Sequence, residues 1–158
     1  MTEPVAVVPA RNLPIPDHLS PVARMYLAPQ PAMADYPALD DKAGWRAYVD
    51  AVDASVLPLL LQISAHAVAE VTARDAGGAK VFEIVPPEHD PEDCGVVLEM
   101  HGGALILCGG DACKLMGIGS AARLKRRIWS VDYRMPPEHP YPAALDDCIA
   151  AYRALLAD

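Results

Sequence analysis

The apolar positions along this chain change period several times, and each change predicts an element. From Asp40 or Asp41, either of which can cap a helix by accepting from an early amide, Trp45, Tyr48, Val49, Val52 and Val56 recur at three- and four-residue spacing. The spacing predicts a helix to about Leu57. Pro58 lacks an amide donor and should kink or end it, with residues 59–69 continuing as a second helical piece. Residues 70–74 and 80–85 then alternate polar with apolar around Asp75-Ala76-Gly77-Gly78, which predicts a β-hairpin turned by glycines at positive φ. Residues 86–93 are polar and proline-broken, as a loop requires.

From Gly95 the pattern becomes nearly continuous. Val96-Val97-Leu98-Glu99-Met100 reads as a central strand covered on both faces, and residues 128–131 as a second buried strand. Residues 112–125 have helical composition, and residues 143–156 form an amphipathic repeat. Strand, helix, strand, helix predicts a parallel sheet with right-handed crossovers, an α/β fold.

The first 37 residues differ from the rest. They hold eight of the chain's 16 prolines, so regular structure cannot run far there. An arm is expected, anchored by Leu13, Ile15, Val22, Met25, Tyr26 and Leu27. The sequence thus divides into an arm and helical segment over residues 1–65 and a sheet-bearing part over residues 66–158.

Composition narrows the function. At 158 residues and 53% hydrophobic the chain can bury a core, and a formal charge of −8 disfavours nucleic acid or an anionic membrane as partner. Residues 1–17 show no basic stretch followed by an apolar one, so a cytoplasmic location is expected. Residues 54–69, the most apolar stretch, are interrupted by Pro58, Gln62, Ser64 and His66, and no membrane span is expected. Cys94, Cys108, Cys113 and Cys148 form no CxxC pair and have no histidine at finger-like spacing, so free and mostly buried thiols are expected rather than a zinc finger.

Two segments carry chemistry. His101-Gly102-Gly103-Ala104 directly follows a strand, where glycines let successive backbone N–H groups converge on a small volume; a plain turn is the other reading of paired glycines. About thirty residues on comes Ser130-Val131-Asp132-Tyr133-Arg134-Met135-Pro136-Pro137-Glu138-His139-Pro140-Tyr141-Pro142-Ala143-Ala144-Leu145-Asp146-Asp147. Its four prolines in seven residues demand a rigid extended crossover, beneath which Arg134 and Glu138 can pair, and after Pro142 the helix opens at Ala143.

In this order the two segments resemble the hormone-sensitive-lipase type of carboxylesterase, an α/β-hydrolase branch in which a strand runs into HGGG and a later strand into DYR-x-x-PEH-x-x-PAA-x-D. The resemblance implies the N-terminal half of an α/β-hydrolase fold preceded by a helical cap. It implies hydrolysis of small carboxylic esters by a Ser-Asp-His triad, with no cofactor and no metal. The amides of Gly103 and Ala104 would be the oxyanion donors, with Gly102 shaping the turn. His101 would brace the loop, or be simply a satisfied buried histidine. Leu105 would stand where the family has an aromatic side chain, Met25, Tyr26 or Met33 could line the acyl pocket or merely anchor the arm, and Asp132, Tyr133, Arg134 and Glu138 would form a structural network below the site.

A nucleophile elbow needs Ser between glycines at minus two and plus two. None of Ser20, Ser55, Ser64, Ser120 and Ser130 has them. The resemblance therefore places the triad beyond Asp158. It implies a complementary C-terminal polypeptide or self-association, the alternative being an inactive relic that binds acyl compounds or a partner.

Overall fold

A computed structural model describes residues 13–27 and 36–157. The chain divides into two units, Met1–Asp35 and Tyr36–Asp158. In the first, the described residues form one short helix, α1 (Pro21–Leu27), begun by Ser20, whose hydroxyl accepts from Ala23 N at 3.2 Å. Proline at its first position forfeits nothing, because the first amides of a helix have no intrahelical acceptor. Met33 and the side chains of Met25 and Tyr26, expected as pocket or anchor residues, lie outside the described residues.

The second unit opens with α2 (Lys42–Ser64), capped by Asp41, whose carboxylate accepts from Gly44 N at 2.8 Å. The helix does not break at Pro58 but continues through it. Pro58 and Ala54 are both exposed, so the one carbonyl that loses its donor meets water and the rest of the ladder is kept. Continuity makes α2 long and apolar enough to cross a bilayer by length and composition alone, which the segment-by-segment sequence reading did not anticipate. Hydrogen bonds tie it to the rest of its unit: Asp53 Oδ1 accepts from Cys108 N at 2.8 Å, Ser64 Oγ donates to Leu115 O at 3.3 Å, and Arg46 Nε donates to Glu138.

Four strands follow: β1 (Glu70–Ala76), β2 (Ala79–Val85), β3 (Val96–Met100) and β4 (Arg127–Val131), with helices α3 (Asp111–Leu124) after β3 and α4 (Ala143–Leu155) after β4. The hairpin is as predicted, with Gly77 and Gly78 at φ 69° and 93° and Asp75 Oδ1 accepting from Gly78 N at 3.0 Å. The order is β1-β2-β4-β3. Only β3 and β4 run parallel, Val97 opposite Ile128; β2 joins β4 antiparallel, Val81 opposite Val131, so the sheet is mixed rather than wholly parallel. The hairpin inserts its second strand beside β4, a pairing that periodicity alone does not specify.

Alternation sorts the core into two layers. Val81, Trp129, Val131 and Tyr133 pack with Ala151 of α4, whereas Phe82, Ile84 and Ile128 pack with Cys113 and Ala121 of α3. Each large aliphatic side chain so buried contributes roughly 1.5–3 kcal/mol. Gly117 allows α3 to lie this close: a Cβ there would come 2.4 Å from Ile84 Cδ1 and 2.9 Å from Ser130 Cβ. β4 is buried on both faces, but β3 is only half-buried, at the sheet edge, with Met100 54% exposed. The expectation of two covered faces thus holds for β4 and not for β3, which has no outer neighbour among the described residues.

Candidate active site

The chain leaves β3 at His101 and enters α3 at Asp111 through a loop held at three points. At its start, Tyr133 Oη donates to His101 O at 2.6 Å while the two rings stack, centroids 4.1 Å apart. Near its end, Asp53 holds Cys108 N and Asp132 Oδ1 accepts from Gly110 N at 2.7 Å. Between these anchors Gly103, Ala104 and Leu105 all lie at positive φ, 118°, 55° and 61°. Gly103 O accepts from both Ile106 N at 3.1 Å and Leu107 N at 2.9 Å, and neither Gly103 N nor Ala104 N has a protein acceptor among the described residues.

The glycine that shapes this turn is Gly103, not Gly102. A Cβ at 103 would come 2.2 Å from Leu107 O, whereas at 102 it would meet nothing within 4 Å and the φ is not left-handed. Ala104 and Leu105 carry side chains in a conformation that disfavours them by roughly 1–2 kcal/mol each. Both are exposed, Leu105 by 57%. Beside the loop, Met100, Leu105, Tyr141, Pro142, Leu145 and Cys148 line an apolar cavity of ≈ 480 Å³. The larger cavity, ≈ 670 Å³, lies between α2 and α3 and is not lined by loop residues 101–108.

The residues of the crossover segment fall into separate contacts. Asp132 is held by Gly110 N and, at 2.7 Å, by Lys80 Nζ. Tyr133 serves His101, and burial pushes its hydroxyl up to about 12, so it stays a donor. Arg134 does not pair with Glu138. Its guanidinium grips Asp147 through Nε at 3.0–3.1 Å and Nη2 at 2.7 Å, and its own amide donates to the same carboxylate at 2.8 Å. Glu138 turns outward to Arg46 of α2, whose charge and hydrogen bond hold its carboxyl below the usual range. The reason is the course of the crossover: it turns back at His139 N to Met135 O (3.0 Å) and brings Arg134 against the first turns of α4, where Asp147 is buried.

The five serines are all occupied elsewhere. Ser120, inside α3, donates to Glu99 Oε1 at 2.6 Å, Ser130 contacts Cys113 at 3.3 Å, Ser55 donates to Val52 O at 2.7 Å, Ser20 accepts from Ala23 N at the start of α1, and Ser64 donates to Leu115 O. The thiols are free, Cys94 exposed and Cys108 and Cys113 buried. Burial pushes Cys113 up to about 12 and also raises Cys108, so neither is poised as a thiolate nucleophile.

Residues 97–158, the stretch holding the glycine loop and the proline crossover, match the alpha/beta hydrolase fold family. Esterase LipI of Mycobacterium tuberculosis is 41% identical over 68 residues, 40% of this chain and 20% of that protein. Carboxylesterase NlhH of the same organism is 45% identical over 58 residues, 37% and 18% of the two chains. Among solved structures, esterase E25 superposes over 97% of this chain and 48% of its own, with a TM-score of 0.74 and 31% identity. A hormone-sensitive lipase from a metagenome library covers 80% of this chain and 38% of its own, with a TM-score of 0.59 and 30% identity. The fold is that of the α/β-hydrolase superfamily, and the proteins it is similar to are esterases, among them a hormone-sensitive lipase. The chain spans about half the length of the solved esterase that it matches over most of its own residues.

Within this chain, sequence reasoning missed Asp53 and Asp147. The first lies on α2, fifty-five positions from the amide that it holds, and the second closes the crossover segment with nothing local to mark it as the partner of Arg134. A signal existed for Asp147 only in that a buried acid on α4 needs a cation, and Arg134 begins the rigid crossover that leads to it.

Proposed function

We propose that this chain supplies the oxyanion-binding amides and the apolar wall of a carboxylic ester hydrolase, and that the Ser-Asp-His triad comes from polypeptide outside these 158 residues. The observation that carries the reading is the pair of unclaimed amides, Gly103 N and Ala104 N, on a loop bordering the apolar cavity at the C-terminal end of β3. Open α/β sheets take their ligands at the carboxyl ends of strands. Donors fixed before the reaction stabilise the charge that develops on a carbonyl oxygen without reorganising. Leu105 and Tyr141 would receive the acyl or alcohol part of a small ester, and α2 would serve as cap. His101 braces the loop, its Nδ1 2.8 Å from Gly102 O.

The division of labour follows from magnitudes. One oxyanion donor contributes about a hundred- to a thousandfold, far short of what turnover needs without nucleophile and base. The test is p-nitrophenyl ester hydrolysis by residues 1–158 alone, with a C-terminal half bearing the elbow serine, and with that serine changed to Ala. Turnover only in the second case is expected. Equal turnover in all three would reject the proposal.

A further inference from the structure

We propose that His101, Cys113 and Asp132 form a binding site for a borderline divalent cation of the zinc type, between the end of β3, the start of α3 and the end of β4. A ring nitrogen of His101, Cys113 Sγ and a carboxylate oxygen of Asp132 lie within 4.8 Å of one another. Four-coordinate zinc, with ligands at about 2.0–2.3 Å, holds its donors roughly 3.3–3.8 Å apart, so the widest pair need close by only about 1–1.5 Å. Imidazole, thiolate and carboxylate are the donors that zinc accepts, whereas hard cations prefer oxygen alone.

The backbone fixes the histidine for this role. Gly102 O can only accept, so the Nδ1 that faces it carries a proton and, in the neutral ring, Nε2 offers a lone pair. His101 is 5% exposed, and its Nε2 is buried with no partner. Buried polar atoms left unpaired are costly and uncommon, and a cation bound at Nε2 would give this one its partner.

The surrounding contacts are those that hold metal ligands in place elsewhere. A ligating imidazole donates its other N–H to a carbonyl, as His101 does to Gly102. Asp132 is oriented by Gly110 N on one oxygen and Lys80 Nζ on the other, each oxygen keeping a lone pair. Ser130 Oγ, 3.3 Å from Cys113 Sγ, can donate to the thiolate. The ligands follow no finger-like spacing because three different elements deliver them. All three ligands lie in this chain, so the site needs no complementary polypeptide, and two of them, His101 and Asp132, also hold the ends of the glycine loop.

The test uses the metal-free chain carrying Cys94→Ser, which removes the exposed thiol. One equivalent of Co²⁺ should give a thiolate-to-cobalt charge-transfer band and the strong visible bands of a four-coordinate ion. X-ray absorption of the zinc form should show one sulfur at about 2.3 Å and nitrogen or oxygen at about 2.0–2.1 Å. Competition with a chromophoric chelator should show that Cys113→Ser and Asp132→Asn each weaken zinc binding by more than the roughly 10–100-fold typical of an outer contact. Ser130→Ala should fall within that range. The absorption measurement keeps all three ligands, so it decides even where a ligand variant fails to fold. Absence of binding, a zinc shell without sulfur, or a charge-transfer band that survives Cys113→Ser overturns the proposal.

Discussion

Tyr133 and His101 lie face to face, 4° from parallel, and the tyrosine hydroxyl reaches past the imidazole to its backbone carbonyl at 2.6 Å. One side chain thus fixes both the ring and the main chain of the residue that opens the glycine loop. Tyr133→Phe keeps the stack and removes the donor, leaving a buried carbonyl short of its hydrogen bond, a loss of about 1–3 kcal/mol. Tyr133→Ala also leaves a cavity and should cost about 3–5 kcal/mol, by analogy with other buried aromatics. Urea midpoints of the two variants check the order; equal midpoints would mean that the stack contributes nothing.

The loop should discriminate sharply between its first two glycines. Gly103→Ala drives a Cβ to 2.2 Å from Leu107 O at a φ that alanine disfavours, whereas Gly102→Ala meets nothing within 4 Å. The former is expected to destabilise by more than about 1 kcal/mol and the latter to stay within about 0.5 kcal/mol. Thermal midpoints of the two single variants, measured side by side, test this.

The Arg134–Asp147 pair predicts an acid sensitivity. Burial pushes the Asp147 carboxyl up, but the hydrogen bonds and charge of Arg134 outweigh burial and hold it below its ordinary value. A carboxyl with a lowered folded pKa contributes stability that is full above its unfolded value of about 3.9 and lost as pH falls through the folded one. Asp147→Asn should lower stability at neutral pH and flatten its decline below about pH 4. Parallel stability curves for the two proteins would show that this carboxylate does not carry the effect.

Much of this was legible in the residues, for identifiable reasons. The hairpin, β3, β4, α3 and α4 each have a local cause: glycines at a turn, an apolar run, a helical repeat, a proline before Ala143. The end of α2 was misplaced because a single exposed proline costs one hydrogen bond that water can replace. Which strand β2 would pair with, and which acid Arg134 would choose, depend on the path of loops between elements, and no period records that path. The same holds for Gly102 and Gly103, identical letters that only backbone dihedrals distinguish.

The central claim, that this chain provides the oxyanion-binding half while the nucleophile lies outside it, is tested most directly by active-site labelling. A fluorophosphonate is applied to residues 1–158 alone and to the assembly with a C-terminal half bearing an elbow serine, and intact masses of both polypeptides are read. The account predicts one adduct, on the complementary polypeptide alone. An adduct on Ser20, Ser55, Ser64, Ser120 or Ser130 of this chain would contradict it.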